Sequence, residues 1–362
     1  MLKAILVECL THRSKSRINE VSDIAKSAGY EVADQVTQHR DIIDSAYYVG
    51  DGKLDEIQKT IKKESIGTVI FAGQLSAGQV FRIKKRLGDT LVLDRNLLIL
   101  EIFEKRSVTT EARLQIALAR LRYTFSWARE SVRMHGIVSE QMGRGGPGQY
   151  PYEAYEAITR KRISKIEHQL REVRQKQSHL REHRGKSGFR LVALTGYTQS
   201  GKTTLFNSLA SESKETGLGP FTTLSTFARK IKSNGKSTQP VIMIDSIGFI
   251  EDLNPLLLQA FHTTLNELAN SDLILLFVDA SDDTETLVRK ISTSQEVMRK
   301  ELSGVPVLIC INKVDIVTQA RLTEVIQETQ RIFPTEEILA ISSKTGANVP
   351  ELLKKMEERL TS

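Results

Sequence analysis

The sequence predicts an α/β protein whose last half is a mostly parallel sheet with helices on both faces, preceded by a small α/β domain and a long helical hairpin. Three observations carry that expectation. Over residues 1–105 short β-rich runs alternate with helical patterns, the rhythm of a small layered structure. Residues 107–187 are helical and charged, with no strand candidates. From Phe189 the alternation returns with near-continuous apolar strands, as a sheet covered on both faces requires.

The elements follow in order. In the N-terminal α/β domain, 1–106, strands are expected at 4–7, 30–36, 47–50, 68–72 and 90–93, with helices at 17–28, 53–63 and 77–87. In the helical region, 107–187, Leu114, Leu118, Leu121, Phe125 and Ala128 keep a 4-3-4-3 spacing, and Ile163, Ile166, Leu170, Val173, Gln177 and Leu180 a 3-4-3-4-3 spacing. Each is an apolar seam of the coiled-coil type. Gly143-Arg144-Gly145-Gly146-Pro147-Gly148 between them cannot be helical, so the two helices are expected to fold back as a hairpin around this loop. The last domain, 188–362, has strand candidates at 190–195, 241–244, 273–279, 305–311 and 338–341.

Bulk properties narrow the classes. A chain of 362 residues needs two or three cores, and 40% apolar with 26% charged residues is ordinary for a soluble protein. No apolar run approaches the roughly 18–20 residues that cross a bilayer, so no membrane association is expected. Met1-Leu2-Lys3-Ala4-Ile5-Leu6-Val7-Glu8 alternates like a strand rather than a signal peptide. Cys9 and Cys310 sit in apolar runs, as buried reduced thiols do. A cytoplasmic protein, monomeric when free, is the expectation. The net charge of +7 is concentrated mid-chain, with ten Lys/Arg against four Asp/Glu between Glu156 and Lys186.

Four motifs carry the chemistry. Gly196-Tyr197-Thr198-Gln199-Ser200-Gly201-Lys202-Thr203 matches GxxxxGK[ST] after a strand, and Thr204 follows it into a helix. Backbone N–H groups of such a loop wrap a β-phosphate, Lys202 reaches the β- and γ-oxygens, and Thr203 ligates magnesium. Downstream, Asp245-Ser246-Ile247-Gly248 ends a strand; its carboxylate holds the magnesium through water and the Gly248 N–H senses the γ-phosphate. Between them Phe221, Thr222 and Thr223 lie in a candidate switch loop, where Thr223 is the choice to complete the metal shell. Asn312-Lys313-Val314-Asp315 reads as NKxD. Asp315 can accept from both N1–H and the 2-amino group of guanine, and adenine offers neither donor. Lys313 covers the ring and Asn312 ties this loop to the P-loop. Ser342, Ser343 and Lys344 form an SAK-like loop whose backbone contacts the guanine O6. Together these assign a P-loop GTPase domain that binds GTP and GDP with magnesium.

No glutamine follows DxxG. Phe249 stands there, and an aromatic ring cannot orient the attacking water, so slow intrinsic hydrolysis is expected and no catalytic residue is assigned.

The chain resembles the HflX-type GTPases, a ribosome-associated branch of the translation-factor-related class. Besides the G motifs, Val49-Gly50-Asp51-Gly52-Lys53-Leu54-Asp55-Glu56-Ile57 is similar to the family's VGxGKxxEI, and Val92-Leu93-Asp94-Arg95-Asn96 with Leu100-Glu101-Ile102-Phe103 to its VxDRTxLILxIF. Thr110-Glu111-Ala112-Arg113-Leu114-Gln115 and the glycine-rich loop complete the match, which resembles shorter archaeal members. Asn96 replaces a threonine, Ser343 an alanine, and Gln149-Tyr150 the usual Glu-Thr. Gln199 stands where related potassium-activated GTPases carry a cation-coordinating asparagine, and offers the same kind of oxygen one methylene farther out. The resemblance thus implies potassium beside magnesium. It also implies nucleotide-dependent binding to the large ribosomal subunit and its rRNA, with splitting of idle or stalled ribosomes in bacterial relatives.

Arg144, Arg160, Lys161, Arg162 and Lys165 are the candidate RNA contacts; a solvated coiled-coil face is the other reading of this stretch. Two further functions remain open at this level: an adaptor switch recruiting a protein through the hairpin, and a GTPase in RNA modification. For the latter, residues 1–187 hold no cofactor or nucleophile constellation.

Overall fold

The structure, a computed structural model, describes residues 2–12, 15–107, 109–139, 149–185, 189–209, 227–230, 241–245, 248–249, 257 and 268–361. At 106, 129–139, 149–155, 174, 176–185 and 227–230 it describes the backbone alone. The chain forms two compact units, one of Met1–Lys105, Arg113–Val173 and Asn254–Ala260, the other of Arg106–Ala112, Arg174–Leu253 and Phe261–Ser362.

The first unit holds a four-stranded parallel sheet, β1 (Leu2–Leu10), β2 (Tyr30–His39), β3 (Thr68–Phe71) and β4 (Leu91–Asp94), in the order β2-β1-β3-β4. Its crossovers are the helices α1 (Ile18–Ser27), α2 (Asp51–Glu64) and α3 (Ala77–Leu87). Interior β1 is buried without a break from Ala4 to Cys9, whereas edge strand β2 is largely exposed. Helix α3 starts on a capping box: Gln79 N donates to Ser76 Oγ, and Ser76 N to Gln79 Oε1.

The strand expected at 47–50 does not form. Asp44 Oδ1 accepts from the amides of Ala46 and Tyr47, and Tyr48, at φ 71°, donates its amide to Asp44 O. The carboxylate closes a turn that competes with the extended chain. The Tyr48 ring then packs edge-on to Phe71 at 5.5 Å. Helix α4 (Arg95–Arg106) was not expected; Leu97 to Leu100, Ile102 and Phe103 are all buried, so it shows no amphipathic period to read.

The two long helices are α5 (Thr110–Ser139) and α6 (Gln149–Gly185), and Arg122 Nη2 of α5 donates to Glu167 Oε1 of α6 at 2.6 Å. The glycine-rich loop lies outside the described residues, and Arg144 with it. On α6 the expected seam is in phase: Ile166 and Leu170 are buried, Ile163 and Val173 half-buried. On α5 it is displaced. Leu114, Leu118, Leu121, Phe125 and Ala128 are only half-buried, while Ile116, Ala119, Tyr123 and Trp127 are buried. The reason is polar. Fully buried Asp94 at the end of β4 needs donors, and Tyr123 donates its hydroxyl to Asp94 Oδ2 while accepting from Asn96 Nδ2 at 3.1 Å. Burial pushes the Asp94 carboxyl up, against the pull of these bonds.

The second unit holds a six-stranded sheet in the order β10-β9-β8-β5-β7-β6. Its strands are β5 (Arg190–Gly196), β6 (Phe227–Lys230), β7 (Val241–Asp245), β8 (Leu273–Asp279), β9 (Val307–Asn312) and β10 (Glu337–Ala340). All pair in parallel except β6, an antiparallel edge strand that was not expected. Helices α7 (Lys202–Leu209), α8 (Thr284–Glu301), α9 (Gln319–Ile332) and α10 (Val349–Thr361) follow β5, β8, β9 and β10. Alternate strand residues feed opposite apolar layers. Val192, Leu194, Met243, Leu275 and Leu308 pack with Phe206, Leu352 and Met356; Ala193, Ile274, Leu276, Ile309 and Ile311 pack with Leu287, Ile291 and Val325. Strand β9 begins at Val307 rather than 305 because Pro306 has no amide to give; its carbonyl accepts from Ile274 N.

Cys9 and Cys310 are both free and buried, and burial pushes the Cys310 thiol up. Among the described residues no helix is long and apolar enough to cross a membrane.

Candidate nucleotide-binding site

At the carboxyl ends of β5, β7, β8 and β9 four loops converge, the position where open α/β sheets bind ligands. The loop after β5, 196–203, turns into the N-terminus of α7 at Lys202. Lys202 is buried and its ammonium donates to Gly196 O (3.0 Å) and Tyr197 O (2.5 Å). Burial pushes it down to about 8, partly opposed by the Asp245 carboxylate and reinforced by the Lys290 ammonium. Ser200 Oγ donates to Tyr197 O at 2.8 Å, Gln199 is exposed at φ 65°, and Thr198 and Thr204 are half-buried.

Asp245 ends β7 with no exposure, and Thr203 Oγ1 donates to its Oδ2 at 3.0 Å. A hydroxyl and a carboxylate at that separation are the hard oxygen donors a divalent magnesium ion prefers, so the pair fits the metal that P-loop GTPases use. Gly248 lies flat on the P-loop: a Cβ there would stand 2.6 Å from Thr198 N. The chain continues as a parallel bridge in which Phe249 N donates to Gly196 O (2.9 Å) and Thr198 N to Phe249 O (3.3 Å). The Phe249 ring is buried in the same apolar layer as Tyr197, so the residue after DxxG faces the core.

Asn312 brings three loops together. Its Nδ2 donates to Ser200 O (2.7 Å) and its Oδ1 accepts from Ser343 N (2.8 Å), all three residues being buried. The fit is close enough that a Cβ on Gly201, at φ +95°, would meet Asn312 Nδ2 at 2.1 Å. The Ser343 amide, expected among the base contacts, therefore serves this junction. Asp315 is exposed and accepts from Ser342 Oγ at 2.6 Å, which fixes one carboxylate oxygen. Ser342 Oγ in turn accepts from Thr345 N at 3.1 Å, and Lys344 is exposed. Lys313, at φ 67°, opens a short 3-10 turn (Val314–Ile316).

Sequence reasoning missed the residues behind this loop. Asp279, the last residue of β8, takes the Lys313 ammonium at 2.5 Å, and Asp282 pairs with Lys290 at 2.7 Å. The available signal was a carboxylate ending an apolar strand beside the NKxD strand. Phe221, Thr222 and Thr223 lie outside the described residues, as do Ser246 and Ile247.

Three family models match successive stretches of the chain: GTP-binding GTPase N-terminal over 15–104, GTP-binding GTPase Middle Region over 106–184, and 50S ribosome-binding GTPase over 191–313. GTPase HflX of Methanocaldococcus jannaschii is 36% identical over 347 residues, covering 94% of this chain and 82% of its own. GTPase HflX of Thermococcus kodakarensis is 35% identical over 352 residues, covering 95% and 78%. Among solved structures, a GTP-binding protein of Sulfolobus solfataricus in complex with GDP is similar over 100% of this chain and 99% of its own, at 25% identity and a TM-score of 0.56. A second, the SsGBP and GDP complex, has 26% identity and a TM-score of 0.59. With the P-loop, DxxG and NKxD loops gathered at one sheet end and identity above 30% along nearly its whole length, the chain belongs to the HflX family of GTPases, P-loop enzymes that hydrolyse GTP.

Proposed function

We propose that this chain binds GTP and GDP in the crevice at the sheet's carboxyl end, hydrolyses GTP slowly on its own, and associates with the large ribosomal subunit in a nucleotide-dependent way. The observation that carries the reading is Asn312, whose amide spans Ser200 O and Ser343 N and so holds phosphate loop and base loops in one frame. In that frame the amides of 197–203 receive the β-phosphate, Lys202 exchanges its loop carbonyls for phosphate oxygens, and Asp315 reads the guanine edge. Thr203 would ligate magnesium and Asp245 would hold it through water, with Thr223 as the third contributor. Phe249 packed in the core leaves the attacking water without a positioning side chain, which supports slow hydrolysis until something completes the site. Gln199, exposed in the P-loop, would supply the oxygen for a potassium ion; equal turnover in KCl and NaCl would refute a role for that ion. Domains at 1–106, 107–187 and 188–362 remain our division of the chain.

Support for the ribosome comes from the family model's own description and from α6. Arg160, Lys161, Arg162 and Lys165 are all exposed on one stretch of that helix. Such a surface meets RNA phosphates and weakens steeply with salt. The test is sedimentation with purified ribosomal subunits in a GTP analogue or GDP. Analogue-dependent pelleting with large subunits is expected, with a flatter salt slope once the four basic residues become alanine. Absence of pelleting in either nucleotide would refute ribosome association and leave an adaptor switch. Splitting of idle or stalled ribosomes is the later step we attach to this reading, measured as loss of light scattering by intact ribosomes.

A further inference from the structure

The loop that reads the purine does not hold its own lysine; a neighbouring strand does. Asp279 and Asn312 are register partners at the carboxyl ends of β8 and β9, and Ala280 N donates to Asn312 O at 3.0 Å, which locks the two strand ends together. From that anchored position the Asp279 carboxylate, 10% exposed, takes the Lys313 ammonium at 2.5 Å. Its other oxygen accepts from Ser281 N (3.0 Å) and Ser281 Oγ (2.6 Å), so the carboxylate cannot swing. Lys313 has the opposite problem. Its side chain is 31% exposed, and its backbone sits at φ 67° at the mouth of a short turn. A lysine left free there samples many rotamers, and ordering it on binding costs affinity.

We propose that Asp279 is a positioning residue of the guanine site: it holds the Lys313 ammonium so that the four-carbon stem lies ready across the purine face. This rests on the reading of 312–315 as the base-binding loop. A second pair extends the support toward the phosphates. Lys290 on α8 is held by both oxygens of Asp282, at 2.7 and 2.8 Å, and its ammonium stands 5.7 Å over the ring of Tyr197 in the P-loop. Burial pushes the Asp282 carboxyl up, against Lys290, with Asp279 pushing up and Lys313 pulling down. Arg321 Nη2 caps the Asp282 carbonyl at 2.5 Å. The β8–α8 unit thus reaches the base lysine through Asp279 at its strand end and the P-loop tyrosine through Lys290 on its helix.

Stacking by a lysine stem is indifferent to the purine's 2-amino group, so the signature differs from loss of Asp315. In the full chain, Asp279→Asn should weaken GDP and IDP equally, by about three- to tenfold, the cost of ordering one freed side chain. Magnesium pyrophosphate, which carries no base, should compete as well as before. Lys313→Met removes the ammonium but keeps a flexible stem, and in that background Asp279→Asn should cost nothing further. Calorimetry on the four proteins reads all of this, with thermal melting of each to establish folding. If Asp279→Asn leaves GDP and IDP affinity unchanged, weakens pyrophosphate alike, or adds its full loss to that of Lys313→Met, the assignment is overturned. If the unaltered chain fails to prefer GDP over ADP, the base-loop reading falls and takes this one with it; preference for GDP with an inert Asp279→Asn refutes Asp279 alone.

Discussion

Replacing Asn312 by alanine removes a side chain that bridges the phosphate and base loops. It leaves Ser200 O and Ser343 N without the partners now at 2.7 and 2.8 Å, in residues 1% and 5% exposed. Each buried group left unpaired costs about 1–3 kcal/mol, so the pair sets a range of about 2–6 kcal/mol. Water entering the space of the lost amide would recover part, which places the expectation at about 2–4 kcal/mol. For a domain of this size that lowers the melting temperature by about 5–15 °C. Urea unfolding of the nucleotide-free chain measures the energy, and calorimetry with GDP measures the functional loss, which should exceed tenfold because both loops bound the ligand in one frame. Gly201→Ala attacks the same junction from the other side, where its Cβ would sit 2.1 Å from Asn312 Nδ2, and should reproduce the loss. An Asn312→Ala protein within about 0.5 kcal/mol of the parent, a change typical of neutral surface sites, would refute the claim that this amide holds the site together.

Lys202 titrates at about 8 in the fold against 10.5 ordinarily, so the unfolded chain binds the extra proton between those values. Stability should therefore rise as pH climbs from 8 to 10.5, by about 3 kcal/mol at about 1.4 kcal/mol per unit; the difference between parent and Lys202→Met in urea titrations isolates it, and a pH-independent difference counts against the burial. Asp315→Asn should exchange preference for guanine for xanthine, which presents an oxygen where guanine has its 2-amino group; GDP and XDP affinities read it directly. Tyr123→Phe removes the hydroxyl donor to fully buried Asp94. A loss of about 1–3 kcal/mol is expected in the first unit, seen by denaturant melts, with GDP affinity, read in the second unit, unchanged.

The G motifs were legible in the chain because each is a contiguous string with a chemical requirement at fixed spacing. Gly201-Lys202-Thr203 and Asn312-Lys313-Val314-Asp315 name their roles from residue type alone, and apolar runs marked most of the strands between them. Local rules also placed α3 to the residue, since Ser76 and Gln79 cap it from within four positions. The misses had local as well as distant causes. Asp44 drew two amides into a turn where alternation suggested a strand, and α4, buried nearly all round, had no polar face to betray its period. The seam of α5 moved because Asp94, 29 residues upstream of Tyr123, needed a hydroxyl.

Local patterns of charge, apolarity and glycine carried the fold class and the nucleotide loops, and the resemblance of longer motifs such as residues 49–57 carried the family. The tie from Asn312 to the P-loop was legible in the NKxD motif, but three-dimensional packing was needed to show that its Oδ1 also takes the Ser343 amide, that Phe249 turns into the core, and that Asp279 grips Lys313. Those facts depend on which strand ends lie side by side. A parallel sheet brings residues more than thirty positions apart to one edge, at separations no spacing rule along the chain encodes.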